Sequence, residues 1–271
     1  MTSPANLVVV NGPGTVPTFL FPNSSADLTA LLEQPQDTYT AVQIIQELAV
    51  REYGEAREVV RLHLRSPENK IKAAATTFFS HIPDPKSVTL LGALLHEGDS
   101  TVREQAYEAL AFQGAASATV LVNLMNDEDP GIREAAANLF GNQSGAEVEA
   151  ILLRHVNDNG VVGTEANQQV LVSASVIRSL AKVGSNKLAA QLPELLKIDN
   201  NLSVRLALIE ACVQLKVIQA IPILIDMLDA APARLHEKVH HALTQLTGAD
   251  YGESQKQWLS GIAATAIEHK P

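Results

Sequence analysis

A short phrase recurs along the chain: an apolar residue, a basic or polar one, several small residues, and a closing Leu, Phe or Cys. Ile71–Phe79, Val102–Leu110, Ile132–Phe140, Val172–Leu180, Val204–Cys212 and Leu235–Leu243 carry it, and Thr40–Leu48 is a weaker copy. The copies start at 40, 71, 102, 132, 172, 204 and 235, so the step stays near 31 residues except for one of 40. Within a copy, Val102, Ala106, Ala109 and Leu110 lie at i, i+4, i+7 and i+8, which is one face of an α-helix. Small Ala positions let neighbouring helices approach closely.

A second apolar-periodic stretch follows each copy: Glu55–Leu64, Lys86–His96, Ala115–Met125, Ala146–Val156, Leu188–Lys197, Ile218–Leu228 and Ser254–Glu268. The repeating unit is therefore a helical hairpin. One hairpin cannot bury its apolar face alone, so neighbours must stack and the ends must be capped. The predicted fold is all-α, a right-handed α-solenoid of about seven hairpins over residues 37–268. Ser66-Pro67 and Asp129-Pro130 predict helix starts, with a capping side chain before Pro at the first helical position. Gly114 and Gly184 after first helices, and Gly98 after a second one, predict left-handed residues that end helices.

Two regions break the period. The long step holds an insertion of about nine residues within 157–169, "NDNGVVGTEANQQ", a polar loop that is either tolerated surface or part of a binding face. Residues 1–36 form an irregular segment followed by a short capping helix at Asp27–Gln34. Residues 7–21 either lie extended as an apolar cap on the first hairpins, form a small strand pair, or await a partner. The cap is preferred because an end repeat must hide its apolar face. The Gly12-Pro13-Gly14 triplet lacks the further Gly and the Lys of a phosphate loop.

Composition narrows the function. Among 271 residues, 30 Asp and Glu stand against 20 Lys and Arg, a formal charge of −10, which argues against nucleic acid or an anionic membrane surface as partner. Apolar residues make up 46% and aromatic ones 4%, so the core is built of Leu, Val, Ile and Ala. The single cysteine, Cys212, excludes a disulfide framework and a Cys-based metal cluster and fits a reducing compartment. No apolar run has the length of a membrane span, and residues 1–50 carry no Lys or Arg, so neither an anchor nor a secretory signal is expected. A cytoplasmic protein is the expectation.

The segments "STVREQAYEALAFQG" and "PGIREAAANLFGNQ" resemble the short bacterial HEAT-like repeats of the kind named after phycobilin lyase subunits, and the resemblance extends over about residues 40–268. "LTGADYGESQKQW", with Gly248, Tyr251, Gly252 and Trp258, looks like the closing repeat of such proteins and reads as a C-terminal cap. The resemblance implies a HEAT-like α-solenoid. It leaves function open, since the superfamily includes adaptors, chaperones, lyase subunits and a few enzymes.

Charge is uneven. Residues 84–149 hold 11 acidic groups against three basic ones, Asp127, Glu128 and Asp129 among them. They either cap helices and pair with Arg of the repeats, or present an acidic strip to a basic partner. Arg57, Arg61 and Arg65, at i, i+4 and i+8, fall on one face of a second helix and form either a solvated ion-pair face or a clamp for phosphate or carboxylate. Read as surface groups, all three are expected to tolerate Ala without loss of stability. Lys72, Arg103, Arg133 and Arg205 share one repeat position and are expected to hold repeats together by bonds to the preceding turn.

His236-Glu237-Lys238-Val239-His240 is a literal HExxH, the spacing that offers two imidazoles to one metal. It is also a repeat copy, with Leu235, Val239, Ala242 and Leu243 in the apolar positions, so a peptidase is not expected and His236 and His240 are at most a weak metal candidate. The related deoxyhypusine hydroxylase draws His-Glu pairs from several repeats. The two pairs in this chain, His96-Glu97 and His236-Glu237, are not equivalent and do not match it. Cys212 is expected to be buried and inert. The reading is a non-enzymatic scaffold or adaptor, without cofactor, that binds a protein or peptide along its curved solenoid surface. The alternatives are a lyase-like or chaperone subunit handling a chromophore or cofactor, and a metal-dependent enzyme using His236 and His240.

Overall fold

The structure, a computed structural model, describes residues 8–10, 18–163, 170–198, 201–229 and 232–268. Residues 1–124 and 125–271 each form a compact unit. In the first, β1 (Val8–Val10) and β2 (Thr18–Leu20) pair antiparallel with Val8 opposite Leu20, so of the three expected forms for this segment the backbone takes the strand pair. The Gly12-Pro13-Gly14 triplet lies outside the described residues. α1 (Ser25–Leu32) starts two residues earlier than expected because Ser24, not a later residue, caps it by accepting from the Asp27 amide.

Three hairpins follow: α2 (Thr38–Val50) with α3 (Arg57–His63), α4 (Asn69–His81) with α5 (Val88–Ala93), and α6 (Ser100–Phe112) with α7 (Ala118–Leu124). First helices pack on first helices, α2 on α4 and α4 on α6, and α5 packs on α7. The unit of residues 125–271 holds four more: α8 (Pro130–Phe140) with α9 (Ala146–Arg154), α10 (Val172–Lys182) with α11 (Asn186–Ile198), α12 (Leu202–Gln214) with α13 (Ile221–Leu228), and α14 (Ala233–Thr247) with α15 (Gln255–Glu268). Its first-helix layer runs α8, α10, α12, α14. The fold is an all-α solenoid stack of helical hairpins, and every predicted pair of stretches is present.

The repeat phrase sets the core. Its closing position is Leu48, Phe79, Leu110, Phe140, Leu180, Cys212 and Leu243, all fully buried. Truncating one of the Leu to Ala costs about 2–5 kcal/mol. Close stacking needs its small residues: a Cβ added to Gly141 on the α8 side would stand 3.1 Å from Ser179 Cβ and 3.2 Å from its Cα on α10. The insertion folds back on itself as β3 (Val161–Val162) paired with β4 (Val170–Leu171), and residues 164–169 of the expected loop lie outside the described residues.

Helix ends follow the phrase too. Glu52, Gly114, Gly184, Lys216 and Gly248 have φ of 55°, 55°, 75°, 54° and 73°, each just after a first helix. In three of these turns the same pair of capping bonds recurs. Tyr53, Ser185 and Val217 amides donate back to Leu48, Leu180 and Cys212 oxygens, and Glu52, Gly184 and Lys216 amides to Ala49, Ala181 and Val213 oxygens. Gly98 departs from expectation: it is not among the positive-φ residues, because the second helix ends in an extended Glu97 instead of a left-handed turn. Ser66-Pro67 departs as well. Ser66 Oγ accepts from the Glu68 amide within the turn, and α4 starts only at Asn69. Asp129 and Pro130 sit where expected, Asp129 Oδ1 accepting from the Gly131 amide at 2.8 Å.

Candidate partner interface

The three expected surface arginines are not equivalent. Arg57 opens α3, donating Nε to Pro83 O at 2.9 Å and a terminal nitrogen to Gly54 O at 2.9 Å. Arg61 donates Nε to Asp84 Oδ2 at 2.8 Å and NH1 to Glu58 Oε2 at 3.0 Å, and its side chain and that of Asp84 are only 15% and 6% exposed. Asp84 is fixed further by its own amide, which donates to Gln113 Oε1 at 2.8 Å, while Gln113 Nε2 donates to Phe79 O at 3.0 Å. α6 thereby holds the α4–α5 turn that Arg61 grips from α3. Arg61 is therefore not a solvated surface group as Arg65 is: it pairs with a carboxylate that is nearly buried and whose other oxygen accepts from the Lys86 amide at 3.3 Å. Arg65 lies in the turn beyond α3 and is exposed, three residues from Leu62, which is 70% exposed.

Glu58 takes Lys86 Nζ at 3.1 Å on its other oxygen, and bonds from Lys86 and then Arg61 hold its carboxyl below the usual range. The acidic residues near 127 belong to the other unit. Asp127 Oδ1 accepts from the Asp129 amide at 2.9 Å, Asp129 caps α8, and Glu128 and Asp129 are exposed. Elsewhere among the acidic groups of residues 84–149, Glu97 pairs with Lys72, Asp99 caps α6, and Glu134 and Glu149 accept from Ser175 and Ser185. The bond from Ser185 lowers the Glu149 carboxyl, beside a cleft of about 330 Å³ that Lys187 also lines.

The second position of the phrase is a ladder of ties. Lys72 Nζ reaches Glu97 Oε1 at 2.7 Å, and Arg133 reaches Asp158 through Nε at 2.7 Å and NH2 at 3.0 Å, each partner lying 25 residues ahead. Arg103 bonds back to the Glu97 and Gly98 oxygens, as Arg133 does to those of Asp127 and Glu128. Asp158 belongs to the insertion and also accepts from the Gly160 amide at 2.9 Å, so this one carboxylate anchors the base of the β3–β4 arm. The Arg133 bonds hold its carboxyl below the usual range, and burial lowers the nearby His155.

His236 occupies the same ladder position and behaves likewise. Its Nε2 donates to Glu253 O at 2.8 Å, and His240 Nε2, one turn on, donates to Asp250 Oδ1 at 3.0 Å. The HExxH helix thus holds the closing turn. Trp258, fully buried, meets the rings of Tyr251 and His240 edge-on and donates Nε1 to Gly252 O. Among the described residues, no three His, Cys, Asp or Glu side chains stand at the spacing of a metal site. Cys212 is buried, and burial pushes its thiol up to about 12, which removes the reactive thiolate at neutral pH.

No periodic signal marks the turn residues Asp84, Asp158 and Asp250 as the partners of Arg61, Arg133 and His240, because turns lie outside the repeat phrase. The 25-residue offset from the ladder position to an acid was the sign that could have found Glu97 and Asp158.

Residues 25–111 match the family described as HEAT repeats. No curated protein matches. Among solved structures, the complex of CpcE and CpcF of phycocyanin lyase from Nostoc is similar at 19% identity, over 69% of this chain and 75% of that one, with a TM-score of 0.47. An archaeal HEAT-like repeats protein from Thermococcus onnurineus is similar at 15% identity over 84% and 99%, with a TM-score of 0.44. An engineered protein gives 17%, 89% and 72%, with a TM-score of 0.44. No helix among the described residues is long and apolar enough to cross a membrane. Residues 25–111 thus match the HEAT-repeat family, and helical hairpins of the same plan run on to residue 268.

Proposed function

We propose that the hairpin array is a non-catalytic scaffold that holds a protein or peptide against surfaces its rigid repeats present. The observation that carries this reading is a division of labour among its polar residues. Those with catalytic potential are absorbed in holding turns to helices: Arg61 on Asp84, Arg133 on Asp158, His236 and His240 on the closing turn, and Cys212 in the core. Exposed Arg65 and Leu62 in one unit, and exposed Glu128 and Asp129 in the other, are held by the fold without being buried in it. Stacked hairpins lose little entropy when they bind, so a flexible partner bears most of the ordering cost.

In this reading Arg65, with the outward edges of Arg57 and Arg61, receives an acidic group beside the apolar contact of Leu62, and Asp127, Glu128 and Asp129 receive a basic one. The test is capture of partners from native lysate at low and high salt, comparing the wild type with a Leu62→Ala, Arg65→Glu variant that leaves Arg61 in place. A near-stoichiometric protein should be retained by the wild type, weakened by salt, and lost by roughly tenfold or more in the variant. Equal retention by both proteins would remove this patch from the interface, and recovery of the bait alone would refute the scaffold.

A further inference from the structure

Two hollows of about 330 Å³ each stand at equivalent places in successive repeats of the unit of residues 125–271, and their linings are opposite in kind. In the first, between α9 and the turn after α10, Glu149 crosses the gap: its Oε1 accepts from Ser185 Oγ at 2.6 Å and its Oε2 lies 3.6 Å from Lys187 Nζ. In the second, between α11 and the turn after α12, Ala189 stands where Glu149 does, Val217 takes the place of Ser185 and Gln219 that of Lys187. The polar tie is gone, and the space it crossed is left open to solvent beside Pro193, Leu215 and Val217. Two further features mark the second hollow alone. Pro193 lies inside α11 and has no amide, so the Ala189 carbonyl one turn back lacks its helical donor, and both residues line the hollow. At the rim, the left-handed position that Gly184 fills without steric cost is held by Lys216 at φ 54°. Lys216 is exposed, and among the described residues its ammonium has no hydrogen-bond or ion-pair partner. Strain kept in a turn whose counterpart uses glycine points to a use for the residue that bears it.

We propose that the hollow between α11 and the α12–α13 turn is a docking site for a peptide segment of a partner protein that carries an acidic residue next to an aliphatic one. The aliphatic side chain enters against Pro193, Leu215 and Val217, the carboxylate meets Lys216, and a main-chain N–H of the segment donates to the Ala189 carbonyl. Lys216 is the one charged residue lining the hollow, so an acidic segment is favoured over a basic one. Open on one side, the hollow encloses too little of a free small molecule to hold it, whereas a segment lying along the surface needs it to take only one side chain. Ile218, next along the turn and 62% exposed, extends the apolar surface beyond the rim. The inference rests on the reading of the array as a protein-binding scaffold and gives that scaffold a contact of its own in the unit of residues 125–271.

The test follows the methyl NMR resonances of Ala189, Leu215 and Val217 in the full chain during titration with acetyl-Glu-Leu-amide and, separately, with acetyl-Lys-Leu-amide. The acidic probe should shift all three saturably with a Kd on the order of 1 mM, and the basic probe should bind at least about fivefold more weakly. Ala189→Glu, which puts the carboxylate of the first hollow into the second, should weaken the acidic probe at least about tenfold. Lys216→Gly relieves the left-handed backbone, so it should melt no lower than the wild type and yet lose the preference for the acidic probe. Absence of saturable shifts at about 10 mM acidic probe would overturn the site, as would equal affinity for the two probes or an unaltered preference in Lys216→Gly. The probes act without any cellular partner, so these failures leave the scaffold reading to the lysate comparison, and a bait recovered alone there strikes the scaffold whatever the probes do.

Discussion

Arg61 and Arg133 do the same job in different units, and the contrast between them shows what makes a charge structural. Arg61 sits on a second helix and grips Asp84, a carboxylate only 6% exposed whose turn is fixed again by Gln113. Arg133 sits on a first helix and grips Asp158 in an insertion, with both of its partner's oxygens engaged and the Gly160 amide as a second donor to that carboxylate. At the level of charge each is one Arg among several. What separates both from Arg65 is a turn that brings a carboxylate back to the guanidinium from 23 or 25 residues ahead.

The largest effect should come from Arg61→Ala. Leaving the Asp84 carboxylate buried beside an apolar gap costs about 3 kcal/mol, to be read as a fall in the urea midpoint. Arg65→Ala, on an exposed side chain, should change stability by less than about 0.5 kcal/mol. If the two variants unfold together, Arg61 is as dispensable as its sequence suggested and the comparison collapses.

Arg133→Ala should cost less, about 2 kcal/mol, because Asp158 is more exposed than Asp84 and keeps a shorter amide bond, 2.9 Å from Gly160 against 3.3 Å from Lys86 to Asp84. Its effect should also be local. Hydrogen exchange at the Val172 amide, which donates to Gly160 O, should accelerate more than exchange in α12 and α14. Uniform acceleration would mean that Arg133 supports the stack as a whole and not the base of the arm.

Acid sharpens the same contrast. Asp158 is depressed below its unfolded value, chiefly by the bond from Arg133, so its contribution is complete above the unfolded pKa of about 3.9 and is lost as pH falls through the lower folded value. The stability gap between the wild type and Asp158→Asn should therefore be constant above about pH 5 and shrink steadily below about pH 4. Denaturant midpoints across that range test it, and a gap that persists undiminished at about pH 2 would show that packing, not charge, is what Asp158 provides.

Most of the fold was legible because its determinants repeat. The apolar positions at i, i+4, i+7 and i+8 gave every first helix, and the closing position of each copy is a buried residue. What did not repeat was hard to see. Glu97, Asp158, Asp84 and Glu253 act from turns, where no period marks them, and their partners come from 17 to 25 residues earlier. The arginine triplet was misleading for a related reason: i, i+4, i+8 spacing promises one face of one helix, but α3 ends at His63, so Arg65 leaves that face. The HExxH spacing is that of a repeat copy, yet the use of its two imidazoles depends on Asp250 and Glu253, which the chain brings back only after a left-handed turn at Gly248.

The smallest effect should appear at the first-helix ends. Gly184 and Lys216 occupy the same place in the repeat, with φ of 75° and 54°, and their turns make the same two capping bonds. Left-handed backbone costs an L-residue roughly 1 kcal/mol, part of which glycine returns through its freer unfolded chain. Lys216→Gly should therefore stabilise by about 0.5 kcal/mol, and Gly184→Ala should destabilise by about 1 kcal/mol. Opposite shifts in the urea midpoint would show that the turn demands its backbone geometry whatever the residue. A loss of stability in Lys216→Gly would instead mean that the Lys stem, which lines a hollow with Pro193 and Val217, holds the turn by its own packing.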